Sequence, residues 1–389
     1  MHKSTPLACL AWAWLLGVAA AWAQSPQEGF VTGQTLGPED GKLGPYTGHE
    51  YHPIRTRGAI LDNGRAKFHF VTWVDVHPSH APLVRPLEGM IGFTGPAPGN
   101  WYGNGFLDIF VAGSLVGTVE PKSVRVVETG RRGRARFVWE RPEGIWSVVF
   151  LVLPGQEKVF CTVRLWPKDP ATTLDVRLTC YPGGQFHDGH RVVTTTNATF
   201  EQVQTADLEG AQAWWYAIYD TVYDYGPGSD GGAAVLFDPD YLGKVHLTVD
   251  SYPVMLRLSP PRGHHEVRMV LWDSFFGRSN AEIVAYMRAE ADNLLRELRS
   301  VSFDDPRLLG GDEEQQRELE ELLARLHDPE DYRQRAAELR DTLAGLRAKL
   351  AQHPQGLAPD DEDEFLSVME AREKLLWDLR WRELFETEE

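Results

Sequence analysis

The sequence predicts a mainly β fold, a large antiparallel β-sandwich followed by a C-terminal α-helical hairpin or bundle. More than ten short runs of alternating apolar and polar residues lie between about residues 54 and 272, divided by turn formers drawn from a chain-wide 36 Gly and 25 Pro. No strand–helix alternation interrupts them, which argues against a doubly wound or barrel α/β fold. Beyond Pro306 the pattern changes to long charged segments with helical spacing.

In chain order, residues 1–23 read as a secretory signal peptide. Lys3 precedes the apolar run Leu7–Ala23, which ends in Ala21-Trp22-Ala23. The alternative is an uncleaved anchor, although 17 residues fall short of the about 20 that a spanning helix needs. The expected location is secreted or periplasmic. Residues 24–53, rich in Gly and Pro without apolar period, predict an extended N-terminal arm.

Residues 54–303 are assigned to the sandwich and a closing helix. Within them 157–166 and 173–181 flank the turn Pro167-Lys168-Asp169-Pro170-Ala171-Thr172. Paired as a hairpin, they set Leu165 opposite Val176, Val163 opposite Leu178 and Cys161 opposite Cys180, within reach of a disulfide suited to an oxidising compartment. Two buried thiols are the alternative. The Ser279-Asn280 step caps an amphipathic helix over 281–299, with Ile283, Tyr286, Met287, Leu294 and Leu298 on one face.

Residues 304–389 form an acidic helical appendage with helices expected at 313–326, 329–352 and 361–386. Tyr332, Ala336, Leu339, Leu343, Leu346 and Leu350 make a coiled-coil-like seam. This part holds 25 acids and 12 bases, most of the chain's net charge of −17. Such a balance repels a phosphate backbone and excludes nucleic acid as an expected ligand. The charged helices suit either a solvated face or a protein-docking surface.

Two groups of residues carry candidate chemistry. Three His-x-x-His pairs, His49/His52, His77/His80 and His187/His190, with Asp188 or Glu266 as an oxygen ligand, raise a zinc-type site, but residues i and i+3 on a strand point to opposite faces. No metal ligand set is assigned and no cofactor is indicated. Two aromatic clusters, Trp101-Tyr102 with Asn104 and Trp214-Trp215-Tyr216, offer flat rings for a sugar face or bulk for a core. Alternation puts Tyr216 and Ile218 on one side of their strand and Trp215 on the other. Nucleophile elbows, P-loops and dinucleotide fingerprints are missing from the sequence.

The run from Trp139 to His190, with the hairpin VFCTVRLWPKDPATTLDVRLTCY leading into Pro182-Gly183-Gly184-Gln185-Phe186-His187, and the strand at 265–272 before a closing helix, resembles the galactose-mutarotase-like supersandwich group. That resemblance implies a supersandwich-like fold that handles carbohydrate. In its epimerases a loop His serves as acid and a Glu from a late strand as base; His187 or His190 and Glu266 stand at matching places. The expected function is therefore an exported protein that binds or processes a saccharide in a cleft lined by Trp101, Tyr102, Asn104, His187, His190, Arg191 and Trp215. The competing expectations are a non-enzymatic cell-envelope scaffold that docks a protein partner through residues 313–386, and a metal-dependent hydrolase.

Overall fold

A computed structural model of the chain describes residues 29–43, 52–75, 92–93, 101, 105–116, 119–182, 189–222, 224, 231–272, 278–310, 312–327, 329–353 and 355–386. The β portion is antiparallel throughout the described pairings. Its nine-stranded sheet runs in the spatial order Thr199–Glu201, Arg191–Thr195, Trp215–Asp220, Ala233–Phe237, Glu266–Trp272, Lys158–Pro167, Gly144–Val152, Gly133–Arg141 and Ser123–Glu128. A six-stranded sheet faces it, in the order Gln204–Glu209, Lys244–Val249, Val254–Ser259, Leu174–Cys180, Leu107–Val111 and Ser114–Leu115. A four-stranded sheet, Thr32–Leu43, His52–Asp62, Lys67–Asp75 and Gly92–Phe93, extends the core at one side, where Phe70 stacks on Phe150 with centroids 3.9 Å apart. This is the expected sandwich.

The cysteine hairpin is not formed. Lys158–Pro167 pairs with Gly144–Val152 and Glu266–Trp272, while Leu174–Cys180 pairs with Leu107–Val111 and Val254–Ser259. The connection between them crosses from one sheet to the other. Period-2 alternation fits such an arch as well as a hairpin, because each strand needs only one apolar row facing the shared core. Cys161 and Cys180 both lie in that core as buried thiols, with no disulfide between them.

The nine-stranded sheet is covered on both faces. Its inner rows meet the six-stranded sheet, and its outer apolar rows lie under helix α1 (Asn280–Ser300). A capping box starts this helix: the Ser279 hydroxyl accepts from Glu282 N–H and the Glu282 carboxylate accepts from Ser279 N–H at 2.7 Å. Ile283, Met287, Ala291, Leu294 and Leu298 then face Leu151, Phe160, Trp215, Leu236 and Val270.

Helices α2 (Glu313–Arg325), α3 (Glu330–Gln352) and α4 (Pro359–Glu386) pack as three helices in which α4 touches both others. The seam residues Leu343 and Leu346 join Leu357, Phe365 and Met369, and Tyr332 and Ala336 border a second cluster built from Leu319, Leu322, Leu375 and Leu379. At the head of this bundle Asp312 accepts from Arg372 at 2.6 Å and also from Arg347. No helix among the described residues is long and apolar enough to cross a membrane.

Candidate functional site

The strand ends around Arg191, Asp220 and Trp272 bring part of the expected saccharide cleft to one end of the sandwich. Arg191 is buried, pairs with the buried carboxylate of Asp220 and donates from Nε to Tyr252 O at 3.1 Å. Asp220 O in turn accepts from the Asn280 side chain at 2.8 Å, tying this end to the start of α1. His190, partly exposed, sits with Nε2 3.3 Å from the Glu201 carboxylate. The rings of Tyr181 and Tyr252 lie 5.0 Å apart beside them. His187, Tyr102 and Asn104 fall outside the described residues, as do His49, His77 and His80.

The two tryptophans expected to stack on a sugar are sealed in the interior. Trp101 is fully buried among core residues, and its indole N–H donates to Trp272 O at 2.7 Å. Trp215 does face away from Tyr216 and Ile218, as alternation requires, but α1 roofs that face and buries its ring. Neither ring presents an open face.

Glu266 is also placed differently from the expectation. It starts the strand that Trp272 ends, so six residues, roughly 20 Å at about 3.3 Å per residue, separate it from the His190 end. Its carboxylate accepts from Arg164 Nε at 2.9 Å, Arg268 Nε at 2.8 Å and the Thr162 hydroxyl at 3.0 Å. Burial pushes its pKa up, but the Arg164 and Arg268 charges outweigh that and hold it below the ordinary carboxylate value. A general base is best poised near the working pH; Glu266 is instead a fixed anion that holds strand to strand.

That anion belongs to a larger charged clasp, which the sequence reading missed. Arg134 and Arg136 on Gly133–Arg141, and Arg164 on Lys158–Pro167, project from the two strands that flank Gly144–Val152 onto the same outer face and are buried there. Arg134 donates to Phe303 O at 2.6 Å, to Glu128 at 2.6 Å and to Glu362 at 3.0 Å; Arg136 donates to the other Glu362 oxygen at 2.6 Å and also to Asp363. Arg164 reaches Asp304 at 2.8 Å. Asp360, Asp361 and Glu362 occupy the first turn of α4, where the helix dipole already favours negative charge. The acidic bundle is therefore docked onto a basic stripe of the sandwich. Gly356 makes the close approach possible: its φ is +94°, and a Cβ there would lie 2.6 Å from both Arg164 Nη1 and Asp304 Oδ1. Alternating Arg and apolar residues at 134–137 signalled a polar outer row, but not its burial.

The far end of α4 carries the largest exposed aromatic feature among the described residues. Trp377, Trp381 and Phe385 are 58%, 51% and 65% exposed and follow one another at i, i+4 and i+8. Their rings lie 6.3 and 6.1 Å apart, near parallel, as a ridge. The opposite side of the same turns is packed: Leu375, Leu376 and Leu379 are buried in the bundle. Among the described residues no group of His, Cys, Asp and Glu gathers as a metal centre requires.

No protein-family model matches the chain, and no curated relative matches it. Similar solved structures include the GH36 α-galactosidase AgaA of Geobacillus stearothermophilus in complex with 1-deoxygalactonojirimycin, at 12% identity and TM-score 0.32 over 55% of this chain and 40% of that one. The galactosidase domain of α-galactosidase-sucrose kinase AgaSK gives 11% identity and TM-score 0.33 over 55% and 40%. The Slr1438 protein of Synechocystis sp. PCC 6803 gives 12% and 0.32 over 56% of this chain and 95% of that one. The chain spans about 40% of the length of the galactosidases it matches.

Proposed function

We propose that the protein is a non-catalytic, exported binding scaffold whose sandwich holds the helical bundle rigidly and whose bundle presents the α4 ridge to a macromolecule. The observation that carries this reading is the Trp377–Trp381–Phe385 ridge, exposed on a helix whose other end is clamped by Arg134 and Arg136 through Glu362. Soluble chains rarely leave several large aromatics contiguous on the surface, and such patches mark contact sites. The expected acid–base pair does not support the enzymatic alternative, since Glu266 is consumed by three donors far from His190. Export rests on the apolar segment Leu7–Ala23 and its flanks.

The test is site-specific photo-crosslinking in the producing cell. With Trp377→p-benzoylphenylalanine, a discrete adduct is expected that Asp341→p-benzoylphenylalanine, on the exposed face of α3, does not give. Equal labelling at both positions, or none at either, overturns the reading.

A second reading keeps a saccharide ligand and places it at the His190 end of the sandwich. It is favoured by the gathering of His190, the Arg191–Asp220 pair and the Tyr181–Tyr252 rings at one rim. Thermal shift against a panel of neutral and uronic-acid saccharides tests it, with His190→Ala as the control. A shift present in the parent and lost in the variant supports it, and a flat panel overturns it.

A further inference from the structure

The exposed side of α4 is more specific than an apolar patch. Along it run Glu370, Glu373, Lys374, Trp377, Arg380, Trp381 and Phe385, all solvent-facing, with Asp378 at the border. At 100° per residue Trp377 and Trp381 lie near the centre of this face. Glu373 and Arg380 fall on one flank, and Lys374 and Asp378 on the other. Each flank therefore carries one acid and one base, displaced along the axis.

We propose that this face binds a second copy of the chain, α4 against α4, antiparallel about a two-fold axis close to Trp377. In an antiparallel helix pair like flanks meet. The two-fold then sets Glu373 of one copy against Arg380 of the other on one side, and Lys374 against Asp378 on the other, each pairing occurring twice. Trp377 meets its own counterpart at the axis, and Trp381 lies over the aliphatic part of the second copy's Glu373 and Lys374. A parallel arrangement brings unlike flanks together, Glu373 beside Lys374 and Arg380 beside Asp378, and the paired charge swap below tells the two apart, since it restores the antiparallel contact and worsens the parallel one. A closed two-fold contact also removes the ridge from solvent without leaving a second sticky surface for chain growth.

The size of the face fits a reversible contact. An aromatic side chain can bury about 150–250 Å², so three that are half exposed offer roughly 300–400 Å² per copy. With the flanking charged stems, the total reaches the lower end of specific interfaces, about 1,200 Å². The existing partners of the flanks do not block it: Arg380 meets Glu318, and Glu373 lies 3.5 Å from Arg307, as solvent-exposed pairs that exchange easily.

This inference rests on the binding-scaffold reading and names its partner. The experiment is sedimentation equilibrium of the full chain over a range of concentrations, beside the crosslinking at position 377. A monomer–dimer equilibrium is expected, with a 377 adduct of twice the chain mass. Trp377→Ala with Trp381→Ala is expected to leave a monomer with unchanged melting temperature. Arg380→Glu alone is expected to weaken the dimer about tenfold, and Arg380→Glu with Glu373→Arg to restore it. A monomer at every concentration overturns the inference, as does a dimer indifferent to these substitutions. A 377 adduct to a different macromolecule overturns it too, while leaving the scaffold reading in place; the absence of any specific adduct sinks both.

Discussion

Glu362 lies between Arg134 and Arg136, one carboxylate oxygen 3.0 Å from the first guanidinium and the other 2.6 Å from the second. All three side chains are buried where α4 meets the sandwich. Burial pushes the Glu362 pKa up, but the two arginines outweigh it and hold the group ionised below the ordinary carboxylate range. Without it Arg134 keeps Glu128 and Arg136 keeps Asp363, but the link to the first turn of α4 that the two arginines share is lost. Glu362→Gln should therefore cost about 1–3 kcal/mol, the loss of one charged partner from each of two buried arginines that keep another. Urea denaturation checks this, and the variant's bundle is expected to release before the sandwich unfolds.

Acid should loosen the same contact. Glu362, Glu266, Asp305 and Asp312 all have pKa values lowered in the fold, in each case because arginine partners overcome the upward push of burial. Such groups stabilise the fold fully above their unfolded values, about 4 to 4.5, and the contribution is lost as pH falls through the lower folded values. Melting temperature is thus expected to hold on the neutral side of that range and to fall below it. A melting temperature that rises on acidification contradicts the assignment.

Gly356 allows no side chain. Gly356→Ala strains a left-handed backbone and drives a methyl group into the Arg164–Asp304 pair. A loss of about 1–3 kcal/mol is expected, measured by chemical denaturation, whereas Gly113→Ala, with the same backbone sign and open space around it, should cost less.

The two core thiols should behave alike with and without reductant. Burial pushes the Cys161 thiol well above its ordinary pKa, and Cys180 is as deeply enclosed. Alkylation of the folded protein is expected to spare both, and alkylation in denaturant to modify both whether or not reductant was present. A reductant-dependent count contradicts the arrangement of the strands on two sheets.

The sequence made some of this legible and hid the rest for definable reasons. Alternation at Trp215–Asp220 correctly separates Trp215 from Tyr216, and the Ser279-Asn280 step marks the start of α1. The sequence places a closing helix after the last strands, but alternation does not say what covers each face, and so does not show that α1 lies over Trp215. Likewise the apolar rows around Cys161 and Cys180 determine which residues face inward but not which strand lies alongside. The clasp left only half a signal: an acidic appendage was plain from its charge, while its basic counterpart is three arginines spread over two strands that meet only after folding. The α4 ridge lay within a segment read simply as charged helix, although Trp377, Trp381 and Phe385 at i, i+4 and i+8 spell one face.

The claim on which the scaffold depends is that sandwich and bundle form one rigid body through the Glu362 clasp. Spin labels at Arg262, on an exposed sandwich turn, and Asp341, on α3, report it directly by pulsed dipolar spectroscopy, since the native core thiols are sealed. A single narrow distance distribution is predicted for the parent chain, broadening in Glu362→Gln. A broad distribution in the parent, or a narrow one that the substitution leaves untouched, contradicts the account.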